Sequence, residues 1–184
     1  RSDGSESDVD DDETGVFAGF VLLSRVSWSK RQLIRDLDEL WDIVAEEDDD
    51  DSNDDVLVFE VDGRVAAISL LKGPIPDGEA EANAENNYMW PEALDGAREH
   101  RAHLLGVVGE RDDDDLIERG KLFGKRLAAC CRQESASGIY TSGVVFQPEF
   151  YEGMAGMMRE DELPIFNWIW FGLYRTEKGI SGYT

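Results

Sequence analysis

Apolar residues in this chain fall into short blocks whose spacing switches between strand and helix. Residues 16–23 form an apolar run of strand length and predict a buried strand. After Ser29 the spacing lengthens: Leu33, Ile34, Leu37, Leu40, Trp41 and Val44 make one helical stripe. Ser29 and Gln32 stand in the relation of a capping box at its start. Val56–Val61 and Arg64–Leu71 read as strands joined by Asp62-Gly63. That dipeptide is a hairpin signal, because both positions of the turn need positive φ. Pro74-Ile75-Pro76 ends the second of these strands, residues 79–87 predict a short helix, and Trp90-Pro91 marks a break before another helical turn. Ala102–Val108 is a third apolar strand.

The second half repeats the alternation. Asp112, Asp113, Asp114 and Asp115 precede a long helix running to about Gln133, and their charge complements its dipole. Its stripe is Leu116, Gly120, Phe123, Leu127 and Cys130 or Cys131, with Gly120 and Gly124 permitting close approach of a neighbour. Residues 139–146 are strand-like with an interruption at Gly143, and Pro148 starts a helix carrying Phe150, Tyr151, Met154, Met157 and Met158. Residues 165–175 predict an aromatic strand, and residues 181–184 the start of the next hairpin strand. The order β-α-β-β followed by β-α-β-α-β predicts an α+β fold, a mixed and largely antiparallel sheet with helices packed on it. Residues 1–14 read as an acidic, mobile tail and residues 15–184 as a single domain, which the length of 184 residues supports.

Charge changes the picture most. The chain carries 41 Asp plus Glu against 18 Lys plus Arg, a formal net charge of −23. Such a field repels nucleic-acid phosphates and anionic membranes and favours a basic protein partner. Acidity with five Lys against 13 Arg also suits adaptation to a high-salt cytoplasm. No run approaches the roughly 18 apolar residues of a membrane span. Hydrophobic content of 41% suffices for a core. The chain opens at Arg1 without an apolar signal segment, which implies either upstream processing or a piece of a longer chain. The two cysteines, Cys130 and Cys131, are adjacent and point apart in a helix, so no disulfide framework is expected and a cytoplasmic, reducing compartment is the simpler reading.

Candidate chemistry is sparse. Cys130 and Cys131 have neither zinc-ligand spacing nor a predicted activating base. Asp49, Asp51, Asn53 and Glu60 imitate a calcium loop, but Asp54 occupies the position that needs Gly, and a strand follows instead of a helix. His100 and His103, if they enter a strand, fall on opposite faces, an arrangement suited to separate structural hydrogen bonds. Arg101 between them could orient a carboxylate or phosphate. Trp90, Trp168, Trp170, Phe171 and Tyr174 could form a base-stacking platform, but the net charge opposes the electrostatic funnel that such a site needs. No phosphate loop or nucleophile elbow is present.

Eight ordered blocks resemble a bacterial family catalogued as domain of unknown function 4261. They are Phe59-Glu60-Val61-Asp62-Gly63, Pro74-Ile75-Pro76, Met89-Trp90-Pro91-Glu92-Ala93, His100-Arg101-Ala102-His103-Leu104-Leu105, Gly138-Ile139-Tyr140, Pro148-Glu149-Phe150, Leu163-Pro164 with Trp168, and Gly182-Tyr183-Thr184. The resemblance spans residues 16–184 and implies an α+β fold, a small cytoplasmic bacterial protein and no established activity. Some members sit near secreted polymorphic toxins as candidate immunity proteins. The family continues with another strand after Gly-Tyr-Thr, so a domain short of its C-terminal strand is expected here.

Two functional expectations follow. The leading one is a non-catalytic immunity or adaptor domain that needs no cofactor or metal and docks a basic partner, a secreted toxin among the candidates. The charged contacts would come from Asp48, Asp49, Asp50, Asp51, Asp54, Asp55, Asp112, Asp113, Asp114 and Asp115. The alternative is a small-ligand or enzymatic domain with a pocket near Trp90, His100, Arg101, His103 and Tyr140.

Overall fold

The computed structural model describes residues 17–112 and 114–169, together with the backbone of residues 172–176 and 179–183. The acidic stretch 1–14, Asp113, Trp170, Phe171 and Thr184 lie outside the described residues. Strand β1 (Phe17–Leu23) runs through the middle of a six-stranded sheet. Its companions are β2 (Val56–Val61), β3 (Arg64–Leu71), β4 (Ala102–Val108), β5 (Ala136–Thr141) and β6 (Val144–Phe146), in the order β2-β3-β4-β1-β5-β6. The α+β class is as expected, and all pairs in this sheet are antiparallel. Asp62 and Gly63 have φ of 52° and 71° and close the β2–β3 hairpin with a two-residue loop. Residues 139–146, expected as one interrupted strand, form part of a second such hairpin. Ser142 and Gly143 turn it with φ of 55° and 69°.

Alternation along the strands separates two apolar layers. Val21, Leu23, Ile139, Val144 and Phe146 face α1 (Lys30–Trp41), α4 (Leu116–Cys130) and α5 (Pro148–Ala155) in the larger cluster. Phe20, Leu22, Tyr140 and Val145 face the shorter α2 (Glu79–Ala84) and α3 (Ala93–Glu99) in the smaller one. Among the described residues no helix is long and apolar enough to cross a membrane.

Helix ends decide where several expectations fail. At Asp42 the backbone turns left-handed (φ 54°) and its N–H caps the Asp38 carbonyl, so α1 stops before Val44, which is exposed. Asp36 is buried on the same helix instead. Ser29 Oγ accepts from Gln32 N–H at 3.1 Å, but Gln32 does not return the bond. Gln133, at the far end of α4, does so: its Oε1 accepts from Ser29 N–H at 2.7 Å and its Nε2 donates to Ser29 O at 3.0 Å. Gln32 Nε2 reaches Arg132 O, so the start of α1 is latched to the end of α4. The expected strand over 165–175 begins instead with a helical turn after Pro164, α6 (Ile165–Trp168), closed by Ile169 N–H to Ile165 O at 2.8 Å. A separate hairpin of β7 (Gly172–Thr176) and β8 (Gly179–Tyr183) follows. Leu116 leaves the predicted α4 stripe because it occupies the first turn and stays in solvent.

Helix α4 lies close on the sheet because Gly19 of β1 pairs with Gly106 of β4 beneath it. A Cβ on Gly19 would stand 2.7 Å from Phe123 Cζ and 2.9 Å from Leu127 Cδ1, and one on Gly106 would stand 3.2 Å from Leu127 Cδ2. On the outer side of α4, Gly120 and Gly124 admit the Trp168 ring and Met158 Cε, each 3.4 Å from the corresponding Cβ position. Within this packing lies Arg126, only 1% exposed, whose three guanidinium nitrogens have no hydrogen-bond partner among the described residues. Burial pushes its pKa down to about 10, with Cys130 opposing the shift.

Gly19→Val should destabilise the fold by about 1–3 kcal/mol in denaturant titration, the cost of overpacking. Gly153→Ala, at an exposed position of α5 with nothing within 4 Å of the new Cβ, should stabilise by roughly 0.5–1 kcal/mol. Arg126→Met should raise the unfolding free energy by about 1–4 kcal/mol, since it replaces a buried cation, unpaired among the described residues, by an apolar chain of similar length.

Candidate functional site

The first acidic stretch is an ordered loop pinned to β2. Ser52 Oγ accepts from Val58 N–H at 2.9 Å, and Asp48 N–H donates to Val58 O at 2.9 Å. Asp48 Oδ1 accepts from Asp50 N–H at 3.0 Å, and Asn53 Oδ1 from Asp55 N–H at 2.9 Å, so two local side-chain turns shape the loop. Lys30 Nζ donates to Asn53 O at 2.7 Å and pairs with Glu47. Asp55 pairs with Lys72 at 2.6 Å. Asp48, Asp49, Asp50, Asp51 and Asp54 are exposed and form no ion pair among the described residues. Glu60, the last member of the calcium-like pattern, lies on β2 and lines a hollow with Val44, Glu46, Glu47 and Asp48. Among the described residues no group of His, Cys, Asp or Glu is placed to hold a metal ion.

The second stretch divides by role. Asp112 is exposed. Asp115 caps α4, its Oδ1 accepting from Ile117 N–H at 2.8 Å. Asp114 is not a surface carboxylate as expected. Its side chain is 9% exposed, Oδ1 accepts from Arg64 Nε at 2.9 Å, and Oδ2 lies 3.3 Å from Arg119 Nε. The Arg119 guanidinium also lies 4.6 Å above the Phe17 ring, a cation–π contact. Burial pushes the Asp114 carboxyl up, but Arg64 beside it, with Arg119 and Arg111, more than offsets this and holds it below the usual range. Arg64 and Arg119 were missed in the sequence, although a signal existed. Arg64 shares strand parity with Ala66, Ile68 and Leu70, and Arg119 and Arg126 flank Leu122 and Phe123 on one helical stripe.

Trp90, His100, His103 and Tyr140 all fall on the α2–α3 side of the sheet. His100 caps α3 in extended conformation before the strand begins, so strand alternation does not send it to the opposite face from His103. Its Nδ1 bonds the Ala97 carbonyl and its Nε2 accepts from Ile75 N–H at 2.9 Å, so both ring nitrogens are used within the fold. His103 Nδ1 donates to Gly73 O at 2.8 Å, and Phe20 packs between its ring and that of Tyr140. Tyr140 Oη donates to Glu79 Oε1 at 2.6 Å and accepts from Asn83 Nδ2 at 3.3 Å. Burial and Glu79 push its pKa up to about 12. Trp90 packs against α3 at Gly96, and Arg101 is exposed. The two histidines thus clamp the 73–75 strap that leads into α2 through hydrogen bonds to backbone groups.

Cys130 and Cys131 are buried free thiols. Burial pushes Cys130 up to about 12, with Arg126 opposing and Asp36 adding to the shift, and Cys131 is raised well above the usual range. Neither is a ready nucleophile. Trp90 and Trp168 pack on opposite sides of the sheet and do not form one platform. Trp170 and Phe171 lie outside the described residues, and only the backbone is described at Tyr174.

A feature that no sequence pattern announced is a cavity of about 570 Å³ between the start of β1, the first turns of α4, the Ser142 turn and α6. Phe17, Leu116, Ile117, Phe123 and Trp168 give it mostly apolar walls, with Thr141, Ser142 and Asn167 as polar members. Comparison of the chain with the profiles of known protein families, with curated proteins and with solved structures finds no match.

Acid titration should destabilise the fold in two stages. Burial depresses the pKa of His103, with the Gly73 hydrogen bond opposing and His100 adding to the shift. The folded state therefore resists protonation that the unfolded chain accepts, and stability falls as pH drops below about 6.5 towards the lowered value. Asp114 contributes stability above the ordinary carboxylate range and loses it as pH falls through its own depressed pKa. Denaturant midpoints measured against pH should show both limbs, and His103→Gln should flatten the upper one.

Proposed function

We propose that the chain is a non-catalytic protein-binding domain, of the immunity or adaptor kind, that docks a basic partner through acidic surfaces. The observation that carries this reading is the display of Asp48, Asp49, Asp50, Asp51 and Asp54 on an ordered loop, exposed and without ion pairs among the described residues. Like charge gathered without counter-ions repels itself, and a cationic partner relieves that repulsion. Holding the loop in shape beforehand lowers the ordering cost of association. Asp112 and Asp115 are exposed in the second acidic stretch, where Asp115 also caps α4, and Asp114 is withdrawn from solvent by its arginine pair. In mechanism, carboxylates pair with Lys and Arg around the partner's functional cleft and occlude it.

The ordered blocks that resemble the domain of unknown function 4261 family, which no family profile matches, would point to the same reading, since some members sit beside secreted toxins. A cationic toxin met in the cytoplasm is the partner proposed. The alternative small-ligand reading gains nothing from His100, His103 and Tyr140, whose polar atoms are largely spent within the fold, nor from Trp90, which packs against α3.

The test is affinity capture from a lysate of the encoding organism, with the immobilised chain and a variant in which Asp48, Asp49, Asp50, Asp51 and Asp54 are replaced by Asn. A basic protein should be retained at low ionic strength, released as salt rises, and bound much less by the variant. Retention of no basic protein, or equal retention by both chains, would overturn the reading.

A further inference from the structure

Among the described residues the acidic exterior is broken by an apolar patch at the cavity between α4 and α6. Leu116 and Ile117 on its α4 side are 64% and 48% exposed, and Ile165, Phe166 and Ile169 are exposed along the segment that forms the other side. Carboxylates flank both sides: Asp112, Asp115 and Glu118 around the start of α4, and Glu160, Asp161 and Glu162 before α6. Lys121 is already engaged, pairing with Glu118 at 3.0 Å and Asp161 at 3.4 Å, and so ties the two sides together. Phosphates and anionic lipid headgroups are repelled by such a rim, and a cationic chain is attracted. Two residues that line the cavity also carry buried polar atoms without hydrogen-bond partners among the described residues, Asn167 Oδ1 and Trp168 Nε1, the latter 3.8 Å from the Cβ position of Gly124 on α4. They are one unmet acceptor and one unmet donor beside the groove.

The geometry points to a docking groove here for a basic peptide segment of the partner protein, which inserts an aliphatic or aromatic side chain between α4 and α6. This rests on the acidic-docking reading and adds to it the place where affinity is concentrated. Charge brings the partner in from solution, and the buried apolar side chain holds it.

Two short synthetic peptides of equal positive charge separate the claims, one with a central leucine–tryptophan pair and one with two serines there. Each is titrated into the isotope-labelled full chain at low salt and followed by NMR. The apolar-centred peptide should bind roughly tenfold tighter or more, as burial of one such side chain predicts. It should also shift the Trp168 indole N–H and the amides of Leu116, Ile117 and Thr141. The double variant Leu116→Ser/Ile117→Ser changes only exposed positions and should retain a dispersed spectrum. It should bind both peptides equally, with the weaker, salt-sensitive affinity. Equal binding of both peptides to the unaltered chain, without change at Trp168, would sink the groove and leave acidic docking standing. Binding of neither would sink both. Shifts at Leu116 and Ile117 that follow protein concentration without peptide would assign the groove to a second copy and overturn the proposal.

Discussion

Close contact between α4 and the centre of the sheet is the constraint on which most of this structure depends. Glycine faces glycine across β1 and β4, at Gly19 and Gly106, and the side chains of Phe123 and Leu127 occupy the space that two Cβ atoms would have taken. With the helix at that height, Arg119 reaches Asp114 and the Phe17 ring, Cys130 and Cys131 are sealed from solvent, and Gln133 can latch onto Ser29. The same helix offers Gly120 and Gly124 on its outer side, so Trp168 settles against it and leaves a cavity beside its first turns. A buried packing contact between small residues therefore sets the position of the apolar opening proposed for docking.

Charge is distributed unevenly between interior and exterior. Arg64, Arg119 and Arg126 are buried, the first two about Asp114 and the third unpaired among the described residues. The long carboxylate loop after α1 remains outside, shaped by its own turns and by Ser52 and Asn53. Its internal bonds fix the backbone and leave Asp49, Asp50, Asp51 and Asp54 exposed. That is the arrangement expected of a surface that meets a cationic partner already in shape, with little ordering still to be lost on contact.

On the other face, the small α2–α3 layer shows how functional-looking residues can be structural. Two histidines, a tyrosine and a tryptophan within one region suggest a pocket when read along the chain. In space they close a seam. His100 and His103 hold the strap at Gly73 and Ile75, and Tyr140 ties α2 to the sheet through Glu79 and Asn83. Both histidines fall on one side because His100 belongs to a helix cap and not to the strand.

Periodicity and turn chemistry determined most of the secondary structure. Val56–Val61, Arg64–Leu71 and Ala102–Val108 are strands as read from the chain, and Asp62-Gly63 turns as that dipeptide must, because these effects act over a few residues. Acidity and the α+β order were legible for the same reason. The extent of a helix past Trp41, the helical turn in residues 165–168 and the second hairpin at Ser142-Gly143 depended on local left-handed residues and on neighbours distant in sequence. The pairing of Asp114 with two arginines, the burial of Arg126 and the cavity beside Trp168 were decided only by tertiary structure. A carboxylate in an acidic run reads alike whether it faces water or two arginines, and only packing brings residues 64, 114 and 119 together.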